Sequence, residues 1–183
     1  VPYFLITGLG GEGKAALLRV LAKRGVHALD TDKVEGLTVW RNIHTGEEFA
    51  ERPPLPIDFT VHRFAWSRAR LRTLFRRKGT VFVFGGAWNA RDYYPCFEHI
   101  FVLAQDRPAP RPKSGKARAP KAPPADQLVG LAGATTLSAG RPLGEIADQI
   151  ILRARATVRP RSLQALIALG PPKWNRLVLR IRG

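Results

Sequence analysis

Residues 3–15 read Tyr3-Phe4-Leu5-Ile6-Thr7-Gly8-Leu9-Gly10-Gly11-Glu12-Gly13-Lys14-Ala15, and the reading of the whole chain turns on them. Tyr3–Thr7 is short, aromatic and β-branched, the composition of a buried parallel strand. Gly8 to Lys14 matches G-x-x-x-x-G-K, with both end glycines and the lysine in register. Glycines admit positive φ, so successive backbone N–H groups can curl around a phosphate. Lys14 adds a positive charge for the same anion. From Gly13 to Arg24, Leu17, Leu18 and Leu21 recur at helical spacing, Ala15, Ala16 and Ala22 favour a helix, and Gly25 stops it. Such a helix points its positive dipole end at the loop. A glycine-rich turn that binds nothing would account for the glycines, but not for strand, lysine and helix in this order.

Val26–Leu29 reads as a second strand ended by Asp30-Thr31-Asp32. Strand, loop, helix and strand within thirty residues make a βαβ unit, hence an α/β fold with a parallel sheet covered by helices. Thr80–Phe84, followed by Gly85-Gly86, predicts a third core strand, His99–Ala104 a fourth and Ala134–Ala139 a fifth. Helices are predicted from Ser67 to Lys78 and from Leu143 to Ala154, with a short turn or helix at Tyr93–Phe97. Val39–Ile43 and Glu48-Phe49 flank a hairpin turn at Thr45-Gly46, and Pro53, Pro54 and Pro56 predict a loop.

The chain has 183 residues, with 30 Lys+Arg against 14 Asp+Glu and a net charge of +16. Residues 1–105 hold 15 basic and 10 acidic residues, and residues 106–183 hold 15 and 4, so +5 and +11 of the charge fall in the two parts. No run of 18 apolar residues occurs, which excludes an integral membrane helix. One cysteine, Cys96, excludes a disulfide framework within the chain and a Cys-rich zinc site. His27, His44, His62 and His99 lie far apart, without metal-ligand spacing. The first residues show no secretory pattern, and the expected location is cytoplasmic.

The order of phosphate loop, Asp30-Thr31-Asp32 and Gly85-Gly86 resembles the shikimate, adenylate and nucleoside kinase branch of the P-loop proteins. It is most similar to small bacterial nucleoside or nucleotide kinase-like ATP-binding proteins. They share Asp-Thr-Asp, Trp40-Arg41-Asn42 with Thr45-Gly46-Glu47, and a tail like Gly140-Arg141-Pro142-Leu143. The resemblance covers residues 1–104 and 128–153. It implies a three-layer α/β/α sandwich, the P-loop NTPase fold, with a five-stranded parallel sheet in the order 2-3-1-4-5. It also implies ATP held by Gly8, Gly10, Gly11, Glu12, Gly13, Lys14, Ala15 and Ala16, with Arg141 and Pro142 beside the adenine. Lys14 and Asp30 would be the catalytic pair, with Asp30 near Mg²⁺ through water. Asp32, Gly85 and Gly86 would receive a small acceptor. A solvated strand-to-helix turn is the plainer reading of Asp30 and Asp32.

Two departures qualify the resemblance. The Ser or Thr whose hydroxyl normally ligates Mg²⁺ is Ala15, which favours binding over catalysis. The place of a helical lid, Arg107–Gln127, is rich in proline and in basic residues, so Arg107, Arg111 and Arg118 read as solvated. The expected organisation is a domain over 1–153, with a degenerate mobile lid at 106–127, and a basic extension over 154–183. That extension reads equally as a solvated tail or as a nucleic-acid surface. Trp40, Trp66 and Trp88 read as packing residues, with Trp40 or Trp88 able to line an acceptor pocket. The functional expectation is a kinase-like ATP-binding protein; its rival is an inactive relative serving as a regulatory or nucleic-acid-binding module.

Overall fold

The computed structural model describes residues 2–8, 11–53, 55–104 and 133–157. The expected lid at 106–127, with Arg107, Arg111 and Arg118, and residues 158–183 of the extension lie outside the described residues. β1 (Tyr3–Thr7) leads into α1 (Gly11–Lys23) and β2 (Ala28–Asp30). β3 (Thr38–Asn42), β4 (Glu48–Phe49) and β5 (His62–Trp66) follow, then α2 (Arg68–Leu74), β6 (Val81–Phe84) and a 3-10 helix over Ala90–Cys96. β7 (His99–Ala104), β8 (Ala134–Ser138) and α3 (Leu143–Ala156) complete the described chain.

Five of these strands form a parallel sheet in the order β2-β6-β1-β7-β8. Numbered along the chain this departs from the expected 2-3-1-4-5. Three strands of a second sheet, β3, β4 and β5, lie between β2 and β6 and shift the numbering of all that follow. The inner strands are apolar on both faces because both faces are covered. Phe4, Ile6, Phe82, Phe84, Phe101 and Leu103 face Leu17 and Leu21 of α1 and Ile146 and Ile150 of α3. Tyr3, Leu5, Val81, Val83, Ile100 and Val102 face Leu71 and Leu74 of α2, together with Phe75, Trp66, Tyr93 and Cys96. The molecule is thus an α/β arrangement of three layers.

The second sheet is antiparallel, in the order β4-β3-β5. The hairpin at Thr45-Gly46 forms as predicted. β5 lies where no element was predicted, because His62-Arg63-Phe64-Ala65-Trp66 mixes polar and apolar residues and follows a proline-rich loop. α2 stops at Leu74 rather than Lys78. Its inward positions end with Phe75, and the chain must turn through Arg76–Gly79 to enter β6. α3 runs past the expected domain boundary at 153, and Ala154 is buried against the core. Among the described residues no helix is long and apolar enough to cross a membrane.

Candidate functional site

In a parallel sheet all strands end on one edge, and ligands of open α/β sheets bind in the crevice outside that edge. Here the edge gathers Thr7-Gly8, Asp30, Phe84-Gly85 and Ser138. Gly8 leaves β1 with φ of +107°, and a β-carbon there would overlap the carbonyl oxygen of Leu103 in β7. Only glycine lets the loop start so close to its neighbour. The chain then enters α1, and Lys14 falls in its first turn. Leu9 and Gly10 lie outside the described residues, as does the side chain of Glu12.

The Lys14 side chain reaches across to the end of β2. Its Nζ donates to Asp30 Oδ1 at 2.5 Å and to Asp32 Oδ2 at 2.8 Å. The lysine is 8% exposed, and the side chain of Asp30 is equally enclosed. The Asp32 amide donates to Asp30 Oδ1 at 3.0 Å, which holds that carboxylate in place. Burial disfavours the ammonium, but hydrogen bonds and charge from Asp30 and Asp32 outweigh it, and the Lys14 pKa rises above its ordinary 10.5. A raised lysine pKa adds stability that is present in full below pH 10.5 and is lost as pH rises through the higher folded value. The ammonium is therefore charged at neutral pH.

Thr31, between the two aspartates, is fully buried, and its amide donates to the Phe84 carbonyl at 3.0 Å. A β-carbon on Gly85 would overlap Thr31 Oγ1. The fit of Thr31 over Gly85 sets where Asp30 and Asp32 point. Sequence reasoning used Gly85 but passed over Thr31, because no local pattern marks a residue that fits over a glycine remote in the chain. Asn89 was also missed. It is buried, accepts from the Trp66 amide at 2.7 Å and donates to the Trp66 carbonyl at 2.9 Å. The Trp88 amide donates to the Phe64 carbonyl at 2.9 Å, so the loop after Gly86 is stitched to β5. Trp66 is wholly buried, whereas Trp40 is half-buried against Phe59 and Phe64 and Trp88 is exposed.

The structure brings Lys14, Asp30 and Asp32 into contact and sets Gly85 against the segment that joins the aspartates. Gly11 and Gly13 lie in the first turn of α1 beside Lys14, with Ala15 and Ala16 following. Arg141 and Pro142 stand at the same sheet edge beyond β8, where Pro142 opens α3. The donor set does not fit a directly bound Mg²⁺. Asp30 and Asp32 each commit an oxygen to Lys14, Ala15 has no hydroxyl, and no group of three His, Cys, Asp or Glu could hold a metal among the described residues. No family model matches this sequence, and no curated protein matches it.

Proposed function

We propose that this chain is an ATP-binding protein of the P-loop NTPase fold that offers the γ-phosphate to a small acceptor with a hydroxyl or phosphate group. The observation that carries the reading is Lys14 in the first turn of the helix after β1, held by two carboxylates at the C-terminal edge of a parallel sheet. In this reading the N-terminus of α1 and Lys14 bind the phosphates, and Arg141 and Pro142 flank the base. Asp30 keeps Lys14 at the edge. Asp32 orients the acceptor, which approaches over Gly85 and Gly86. On nucleotide binding, Lys14 exchanges carboxylate partners for phosphate oxygens. A second reading, binding without transfer, is favoured by Ala15 and by the lack of a Mg²⁺ ligand set among the described residues.

Titration calorimetry with ATP, with and without Mg²⁺, tests the reading. Wild type is expected to bind, and Lys14→Ala to bind at least tenfold more weakly through loss of a charge-assisted contact. Asp32→Asn is expected to bind metal-free ATP several-fold more tightly, because it removes one negative charge and one competitor for Lys14. An absence of binding by wild type would overturn the proposal. Phosphate transfer by wild type to any of a panel of nucleosides and small alcohols separates the first reading from the second.

A further inference from the structure

Phe59–Arg91 is a run of 33 residues with eight basic side chains and no Asp or Glu. Five of them, Arg70, Arg72, Arg76, Arg77 and Lys78, are exposed on α2 and the turn that follows it. Leu71, Leu74 and Phe75 point into the core, which leaves the basic residues outward. None of the five side chains forms an ion pair with a carboxylate among the described residues. The ridge is rigidly seated. The Tyr3 hydroxyl donates to the Leu74 carbonyl at 2.7 Å and lies 3.0 Å from that of Arg77. Tyr3 begins β1, so the Arg76–Lys78 end lies at the sheet edge opposite Lys14.

We infer that this ridge binds the phosphate backbone of a nucleic acid, at a surface separate from the Lys14 site and independent of what that site binds. Four of the five cations are arginines, whose guanidinium fork matches phosphate oxygens. Five exposed cations within nine residues are enough to neutralise about four phosphates of one strand. Protein interfaces place aromatic anchors at their centres, and membrane-surface helices insert large apolar side chains. The ridge offers neither. The exposed large apolar residues among those described are Leu55, Trp88 and Leu152, all outside it.

Fluorescence anisotropy of the full chain with a labelled 20-nucleotide single strand and a 20-base-pair duplex, between 50 and 200 mM KCl, tests the inference. Four neutralised phosphates predict a log–log salt slope of about −3 to −3.6, a loss of roughly 50- to 150-fold over that range. Arg72→Glu/Arg76→Glu/Lys78→Glu is expected to bind at least tenfold more weakly at 50 mM and to flatten the slope by about 2. Lys14→Ala is expected to bind the oligonucleotides like wild type. Circular dichroism checks the fold of the triple variant. If it is unfolded, Arg72→Gln/Arg76→Gln/Lys78→Gln is read instead and must flatten the slope similarly. Three results would overturn the inference: no binding by wild type at 50 mM, wild-type affinity and slope in the triple variant, or stronger binding to phosphatidylserine vesicles or polyglutamate at equal charge.

Discussion

The two sheets of this protein are built by opposite rules. Strands β1 and β6 of the parallel sheet are buried at every residue, whereas β3 of the antiparallel sheet alternates between half-buried and buried positions. A sheet covered on both faces leaves polar side chains such as Thr7 and His99 to the ends of its inner strands. Its chemistry is therefore confined to the strand ends, where Lys14, Asp30 and Asp32 meet. The antiparallel sheet carries polar groups along its length. Arg41 is buried in β3 and pairs with Glu48 of β4. The lesson is that the parallel sheet is a rigid base for one charged edge, and the second sheet is a wall attached to that edge through Trp88 and Asn89.

The sharpest way to break this contrast lies at the join between the sheets. Gly85→Ala drives a β-carbon into Thr31 and should destabilise the fold by about 2–4 kcal/mol in urea denaturation. On the proposed reading it should also shift the affinity for ATP, since Asp30 and Asp32, the partners of Lys14, flank Thr31. The same valine truncation can next be compared in the two sheets. Val83→Ala, buried on β6, should cost about 2–3 kcal/mol, and Val39→Ala, at the margin of β3, about 1–2 kcal/mol. Equal costs would erase the distinction. The smallest effect concerns the pairing of β7 with the outer strand β8. Burial, reinforced by the charge of Arg153, lowers the His99 pKa below 6.5, and the ring bonds Thr135 of β8 at 2.8 Å. A depressed histidine pKa favours the neutral ring, so its stabilisation is present above pH 6.5 and is lost as pH falls through the folded value. The urea midpoint should therefore fall between pH 7 and pH 5, and His99→Gln should flatten that part of the dependence.

Cys96 offers a check on the core beneath the 3-10 helix. It is fully buried, and burial pushes its thiol pKa up to about 12. Native protein should resist alkylation at pH 8 and react only once unfolded.

Much of the parallel sheet was legible because its strands are unbroken apolar runs punctuated by glycine or aspartate: Tyr3–Thr7 before Gly8, and Val81–Phe84 before Gly85. β5 was not legible, since the side chains of His62 and Arg63 tell nothing of pairing with Asn42 and Arg41 twenty residues away. At the site, Lys14 could be read from the spacing of the loop, and Asp30, Asp32 and Gly85 were named through the resemblance to the kinase-like proteins. Their partnership could not be read. Thr31 was invisible as a determinant because its role is to fit over a glycine 54 positions later in the chain.

The α/β class, the strand–loop–helix that starts it, and the residue types that gather where strands end are written in the order of residues along the chain. Local periodicity and glycine placement suffice for those. That three strands between β2 and β6 form a sheet of their own follows from pairings between residues remote in the chain. The same long-range packing pairs Lys14 with both aspartates and sets Arg70, Arg72, Arg76, Arg77 and Lys78 on one ridge without a carboxylate partner among the described residues. Those outcomes depend on distances between residues remote in the chain, and no local pattern encodes them.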